Sequence, residues 1–148
     1  MKPYQVHAGD LLISDEPARL DRALIHRFLS ERSYWAKDVP RDVVDRAIEH
    51  SLCFGIYEAG QQVGFARVVT DRATFAWLAD VFVMEERRGR GLSQRLMTAI
   101  VAHPALQGLR RFMLATLDAH GLYQQFGFSA VQNVERLMEI HRPNVYKC

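Results

Sequence analysis

The stretch from Asp80 to Ile100 constrains this chain more than any other. Asp80-Val81-Phe82-Val83 closes an apolar run rich in β-branched and aromatic residues, which predicts a buried strand. A charged turn follows, Met84-Glu85-Glu86-Arg87-Arg88-Gly89-Arg90-Gly91. Leu92, Leu96 and Ile100 then recur four apart, the spacing of one helix face. Strand, glycine turn and helix aim several backbone N–H groups at one place, and the helix N-terminus adds a field that favours an anion. Arg87, Arg88 and Arg90 add positive charge. The physical reading is a phosphate pocket suited to the pyrophosphate of a nucleotide-containing cofactor.

Three phosphate motifs compete for this turn. A P-loop needs a Lys after its last glycine, and none follows Gly91. A dinucleotide fingerprint opens with Gly89 and Gly91, but Gln94 stands where the third glycine belongs and no ribose-binding carboxylate follows near ~20 residues on. The third pattern, [Q/R]-x-x-G-x-[G/A], reads here as Arg88-Gly89-Arg90-Gly91-Leu92-Ser93, with Ser93 at the small-residue position. A second stretch, Ala119-His120-Gly121-Leu122-Tyr123-Gln124-Gln125-Phe126-Gly127-Phe128, reads as A-x-x-L-Y-x-x-x-G-F. The two stretches, in this order and spacing, resemble the signatures of the GNAT (GCN5-related) N-acetyltransferase superfamily, in its small single-domain bacterial-type form. The resemblance runs from about Leu11 to Ile140 and is sharpest between Leu78 and Phe128.

With 148 residues the chain is long enough for one domain and too short for two, so we read 1–148 as a single unit, with 1–10 as a flexible or edge segment. A net charge of +2 gives no reason to expect a nucleic-acid partner. No apolar run reaches the ~18 residues of a membrane span, and Met1 to His7 lacks the apolar core of a signal peptide. Cys53 and Cys148 are far apart and suggest neither a disulfide scaffold nor a metal site, so a reducing cytoplasm is the default.

The periodicities lay out the rest. Leu11–Ser14 reads as a strand, and 17–29 as a helix with Leu20, Leu24 and Phe28 on one face. Pro40 opens a second helix carrying Val43, Val44, Ala47 and Ile48. Strands are expected at 52–57, 63–69 and 74–83 as an antiparallel meander, with a turn over 59–62. A helix over 91–102 then crosses to a strand at 111–116, which makes that strand parallel to 74–83. A short helix at 121–126 and closing strands at 128–131 and 136–140 complete the prediction. The class is α/β (α+β): a mixed, mostly antiparallel sheet of six to seven strands with helices on both faces, as in the GNAT fold. The resemblance also implies a V-shaped split between the fourth and fifth strands of that fold, here 74–83 and 111–116.

What the resemblance implies for function attaches to particular residues. Acetyl-CoA is the expected cofactor and no metal is expected. The pantetheine arm would lie in the V and pair with Val81, Phe82 and Val83. The pyrophosphate would sit on Arg88, Gly89, Arg90, Gly91, Leu92 and Ser93, with Arg88 and Arg90 supplying charge and Arg87 a solvated surface residue. Tyr123 stands at the family's general-acid position and holds its proton at neutral pH, since an ordinary tyrosine titrates near ~10. Thr116 occupies a cofactor-contact position where many members carry Asn.

Asp80 is the one carboxylate in its apolar run, a costly placement unless paired or useful. It reads as a general base, as a binder of a cationic substrate, or as a residue salt-bridged to Arg67. Tyr34 and Trp35, with Trp77, either face the substrate or cap the local core. His120 reads as exposed and inert. The activity implied is direct acetyl transfer to the primary amine of a small molecule. A peptide or protein amine, and a non-catalytic acyl-CoA-binding module, are the rivals. The acceptor, the acyl length and the base stay open. Late strand edges of that family often pair between subunits, which extends the resemblance to a homodimer.

Overall fold

The computed structural model describes residues 2–147; Cys148 lies outside them. Six strands form one sheet in chain order: β1 (Gln5–Ala8), β2 (Leu11–Ser14), β3 (Leu52–Glu58), β4 (Gln61–Thr70), β5 (Phe75–Val83) and β6 (Arg111–Leu114). All neighbours are antiparallel except β5 and β6, which run parallel. The crossover between those two is α3 (Leu92–Val101), as the strand–helix–strand pattern requires. The other helices are α1 (Arg22–Arg32), α2 (Arg41–Glu49) and the short α4 (His120–Gln124). No helix among the described residues is long and apolar enough to cross a membrane.

Two cores cover the two faces of the sheet. On one, Leu92, Leu96, Met97, Ala99 and Ile100 of α3 pack against Phe54, Ile56, Val68 and Leu78. On the other, Ile25, Phe28 and Leu29 of α1 and Val44 and Ile48 of α2 pack against Cys53, Phe65 and Phe82. Each large buried apolar side chain contributes about 1.5–3 kcal/mol over leaving it in water. The β3–β4 hairpin turns on Ala59 and Gly60, both at positive φ (50° and 82°). Positive φ at both central residues matches the twist of the flanking strands. The turn is tighter than the expected 59–62, so Gln61 and Gln62 join β4.

The structure departs from the sequence expectations elsewhere as well. The predicted helix over 17–29 breaks in two: Pro17–Arg19 is a single 3-10 turn, and Asp21 caps α1 by accepting from the Leu24 N–H at 3.0 Å. Strand β1 lies in the 1–10 segment read as flexible or edge and forms one edge of the sheet; most of it is exposed and carries little apolar signal. The expected closing strands at 128–131 and 136–140 are not strands. Among the described residues neither segment pairs with the sheet, and a strand exists only against a partner.

Burial also leaves one polar atom without compensation. The Tyr57 hydroxyl is buried against the Gly55 backbone and finds no hydrogen-bond partner among the described residues. Its burial pushes the phenol up to about 12. Because a lone buried hydroxyl costs more than it returns, Tyr57→Phe is expected to leave stability unchanged or raise it by about 1 kcal/mol in urea denaturation. A clear loss would mean that the hydroxyl is bonded.

Candidate active site

The site begins where β5 loses its neighbour. β5 and β6 pair only from Phe75↔Arg111 to Leu78↔Leu114. From Ala79 to Val83, β5 keeps β4 on one side alone. A bulge sits at the same point. Arg67 of β4 faces Ala79, yet Phe65 faces Phe82, so β5 holds one residue more than β4 over this stretch. Asp80 takes up the difference with φ at +55°. Left-handed backbone at a non-glycine residue costs about 1–3 kcal/mol and persists only where its surroundings fix it. Here the Asp80 carboxylate is held at both oxygens. Oδ2 accepts from Arg67 Nε and Oδ1 from Trp35 Nε1, each at 2.8 Å. Arg67 also donates to Ser51 Oγ at 3.2 Å. Of the three readings of Asp80, the pairing with Arg67 is the one the side chains adopt.

The split opens a cavity of about 650 Å³ lined by Tyr34, Trp35, Trp77, Asp80, Val81, Thr116 and Tyr123. Tyr34 and Trp35 are 61% and 42% exposed, too open for core residues, and they meet edge to face with centroids 5.1 Å apart. The Tyr34 hydroxyl accepts from the Leu117 N–H at 3.2 Å, which ties the α1–α2 connection to the far wall. An apolar annex of about 260 Å³ shares Trp35, Trp77, Ala79 and Asp80 with this cavity and runs between α1 and α2 to Val43, Val44 and Tyr146.

Tyr123 is buried in α4, and burial raises its hydroxyl above the ordinary tyrosine value, with Tyr34 and Asp118 adding to the shift. Thr116 Oγ1 accepts from the Ala119 N–H at 3.0 Å, so it caps the turn that sets Tyr123 in place. His120 lines a different cavity, beside β6.

A second cavity, about 400 Å³, lies at the other end of the split under the glycine turn. Val83, Arg88, Gly89, Gly91, Leu92 and Ser93 line it. Gly89 and Gly91 have φ of +79° and +75°. A Cβ on Gly89 would meet nothing within 4 Å, so the backbone conformation and not the space requires glycine there. Gly91 is the N-cap of α3, and no side chain caps that end. The first-turn N–H groups are therefore open for an anion.

The arginines divide differently from the sequence reading. Arg90 binds Glu58 through both carboxylate oxygens, and Arg87 reaches the same Glu58. The hydrogen bond from Arg90 holds the Glu58 carboxyl below its ordinary range. Arg90, expected to supply charge to the phosphate, is paired with Glu58 in this structure, and Arg87, read as solvated, joins the same pair. The β3–β4 hairpin carries Glu58 up beside the loop. Arg88 makes no ion pair among the described residues; its Nε donates to the Val83 carbonyl at 3.1 Å. Phe82 turns its ring away, stacked on Phe28 at 3.9 Å, so only its backbone faces the split.

The cleft also holds residues that motif reading did not offer. Leu114 at the end of β6 and Ala115, Leu117 and Asp118 after it line the cleft, as do His141 and Pro143 from the C-terminal segment. The first group follows directly from the parallel pairing of β5 and β6. Nothing in the sequence pattern places His141 and Pro143 there.

Comparison with known proteins gives a consistent result. The model of the Acetyltransferase (GNAT) family matches residues 21–128. A provisionally named acetyltransferase of the fungus Gibberella zeae is 35% identical over 144 residues, covering 82% of this chain and 80% of its own. A crystal structure from Xanthomonas campestris pv. campestris, provisionally assigned as a GNAT-family acetyltransferase, is 54% identical with a TM-score of 0.92. The match covers 96% of this chain and all of that one. A GNAT-family acetyltransferase from Elizabethkingia anophelis, solved with acetyl-CoA bound, shares the fold at a TM-score of 0.63 and 13% identity, over 84% of this chain and 80% of that one.

Proposed function

This chain belongs to the GNAT acetyltransferase family, a family of acyltransferases, and we propose that it moves an acetyl group from acetyl-CoA directly onto the primary amine of a small molecule. The observation that carries the reading is the continuity of the split. One unpaired stretch of β5 joins an anion-suited loop cavity to an aromatic cleft. A ligand with a pyrophosphate at one end and a reactive group at the other, joined by an amide-bearing arm, fits that line. The open first-turn N–H groups of α3 and the Arg88 guanidinium suit the pyrophosphate. The free side of β5 at Val81, Phe82 and Val83 suits the arm through backbone pairing.

Acetyl-CoA, when bound, supplies the thioester. The chain's residues handle the proton and the amine. Tyr123 holds its proton at the phenol oxygen and can give it to a departing sulfur. Trp35, Trp77 and the annex suit the apolar body of an amine of moderate size. Cys53 is no nucleophile for an acyl-enzyme: burial in β3 pushes its thiol up to about 12.

Titration calorimetry with acetyl-CoA and CoA tests the reading. Saturable binding is expected, weakened about tenfold, or about 1.4 kcal/mol, by Arg88→Ala. Saturable binding supports an amine screen for CoA-thiol release. Absence of binding to either compound overturns the proposal.

A further inference from the structure

The turn over the loop cavity has little backbone bonding to hold it. Gly89 and Gly91 both stand at positive φ, and glycine loses more backbone freedom than any other residue when it is fixed. The N–H groups of Gly89, Arg90 and Gly91 make no backbone hydrogen bond among the described residues. The restraint comes from side chains. Arg88 reaches back to the Val83 carbonyl. Arg87 and Arg90, on either side of it, both reach Glu58.

Glu58 is a firm anchor for them. It ends β3, and its backbone stands between two partners, Leu11 of β2 and Gln61 of β4. The hairpin tip beyond it is tied again, through the Ala59 N–H to the Asp10 carbonyl at 3.1 Å. The Glu58 side chain is only 17% exposed, so water and salt screen its ion pairs less than those of an open surface. Arg87 and Arg88 line the loop cavity and Arg90 does not, which fits an Arg90 drawn aside onto the carboxylate. A carboxylate beside an anion pocket repels the anion. Its presence there makes sense if a fixed loop is worth more to binding than the charge it cancels.

We propose, taking the identity of the ligand from the acetyl-CoA reading above, that Glu58 is a positioning residue for the phosphate loop. Through Arg87 and Arg90 it holds the turn in its binding shape before the cofactor arrives. Arg88 and the first-turn N–H groups of α3 are then left facing the pyrophosphate.

Charge and position predict opposite results for Glu58→Gln, which keeps the size of the side chain. By charge alone, CoA binds more tightly once the carboxylate is gone. By position, calorimetry should show CoA binding weakened about tenfold. Trypsin gives a second readout that needs no ligand, because Arg87, Arg88 and Arg90 are its cleavage sites and a tethered loop must open before it is cut. Ligand-free Glu58→Gln is expected to be cut at these three sites about fivefold faster than the wild type, with cleavage elsewhere unchanged. Glu58→Asp keeps the charge and should restore most of both properties. Tighter CoA binding, unchanged cleavage at the loop, faster cleavage at every site, or no recovery in Glu58→Asp overturns the proposal. A wild type that binds no CoA, with a loop that still opens in Glu58→Gln, overturns the acetyl-CoA reading and upholds the tether.

Discussion

Tyr123→Phe is expected to lower kcat by about a hundredfold or more while acetyl-CoA binding stays within about twofold, the signature of a lost proton donor. The substitution removes one oxygen and keeps the ring, which packs edge to face on Phe128 at 6.0 Å, so the fold should not register it. The pH dependence supplies a second check. Burial raises the Tyr123 hydroxyl, and nearby Tyr34 and Asp118 push the same way. A raised value means the proton is retained as pH increases. The donor form therefore persists past the ordinary tyrosine value of ~10, and the alkaline limb of the wild-type profile should lie above it. An unchanged kcat in Tyr123→Phe would remove the residue from the chemistry and leave it as a packed ring above the cleft.

How much of this was legible beforehand depends on range. The strand–turn–helix unit could be read because the apolar period changes within a few residues from a continuous run to a four-residue repeat, and α3 starts at Leu92 as that change predicts. The parallel pairing of β5 and β6 followed from the crossover, and the split between them was implied by the family resemblance. The bulge did not follow. It depends on Asp80 holding φ at +55°, which rests on contacts with Arg67 and with Trp35, 45 residues away in sequence. The Glu58 pairing with Arg87 and Arg90 was hidden for the same reason, since local patterning carries no information about which charges a hairpin brings together. Gly64 is a further case. A Cβ there would run into Ile56 Cγ2 and lie 2.9 Å from the Phe82 carbonyl oxygen, so glycine is required by a crossing that only the folded sheet creates. The segment at 136–140 shows the opposite situation. Its strand pattern is plain in the sequence, but forming a strand needs a partner edge, and a single chain leaves it unpaired.

The paired carboxylate at the bulge gives the second large effect. Asp80 and Arg67 side chains are only 12% and 20% exposed. Breaking a fully buried pair costs about 3–5 kcal/mol, and partial exposure brings the expectation to about 2 kcal/mol for Arg67→Met or Asp80→Asn. The double variant should recover part of that loss, because neither charge is then left alone, and thermal denaturation of the four proteins measures the coupling. Kinetics separate two roles for Asp80. Both oxygens accept a bond, from Arg67 and from Trp35, which ties the carboxylate to the backbone of β5 where the split begins. As a positioning residue it should lose activity in parallel with Arg67: both single variants lower kcat by a similar factor. As the group that takes the amine's proton it should behave alone. Asp80→Asn would then abolish turnover at saturating amine, while Arg67→Met, which leaves the carboxylate in place, would retain it. The two oxygen contacts predict the parallel loss, and a solitary collapse of Asp80→Asn would assign the base to Asp80 and demote the ion pair to its tuning partner.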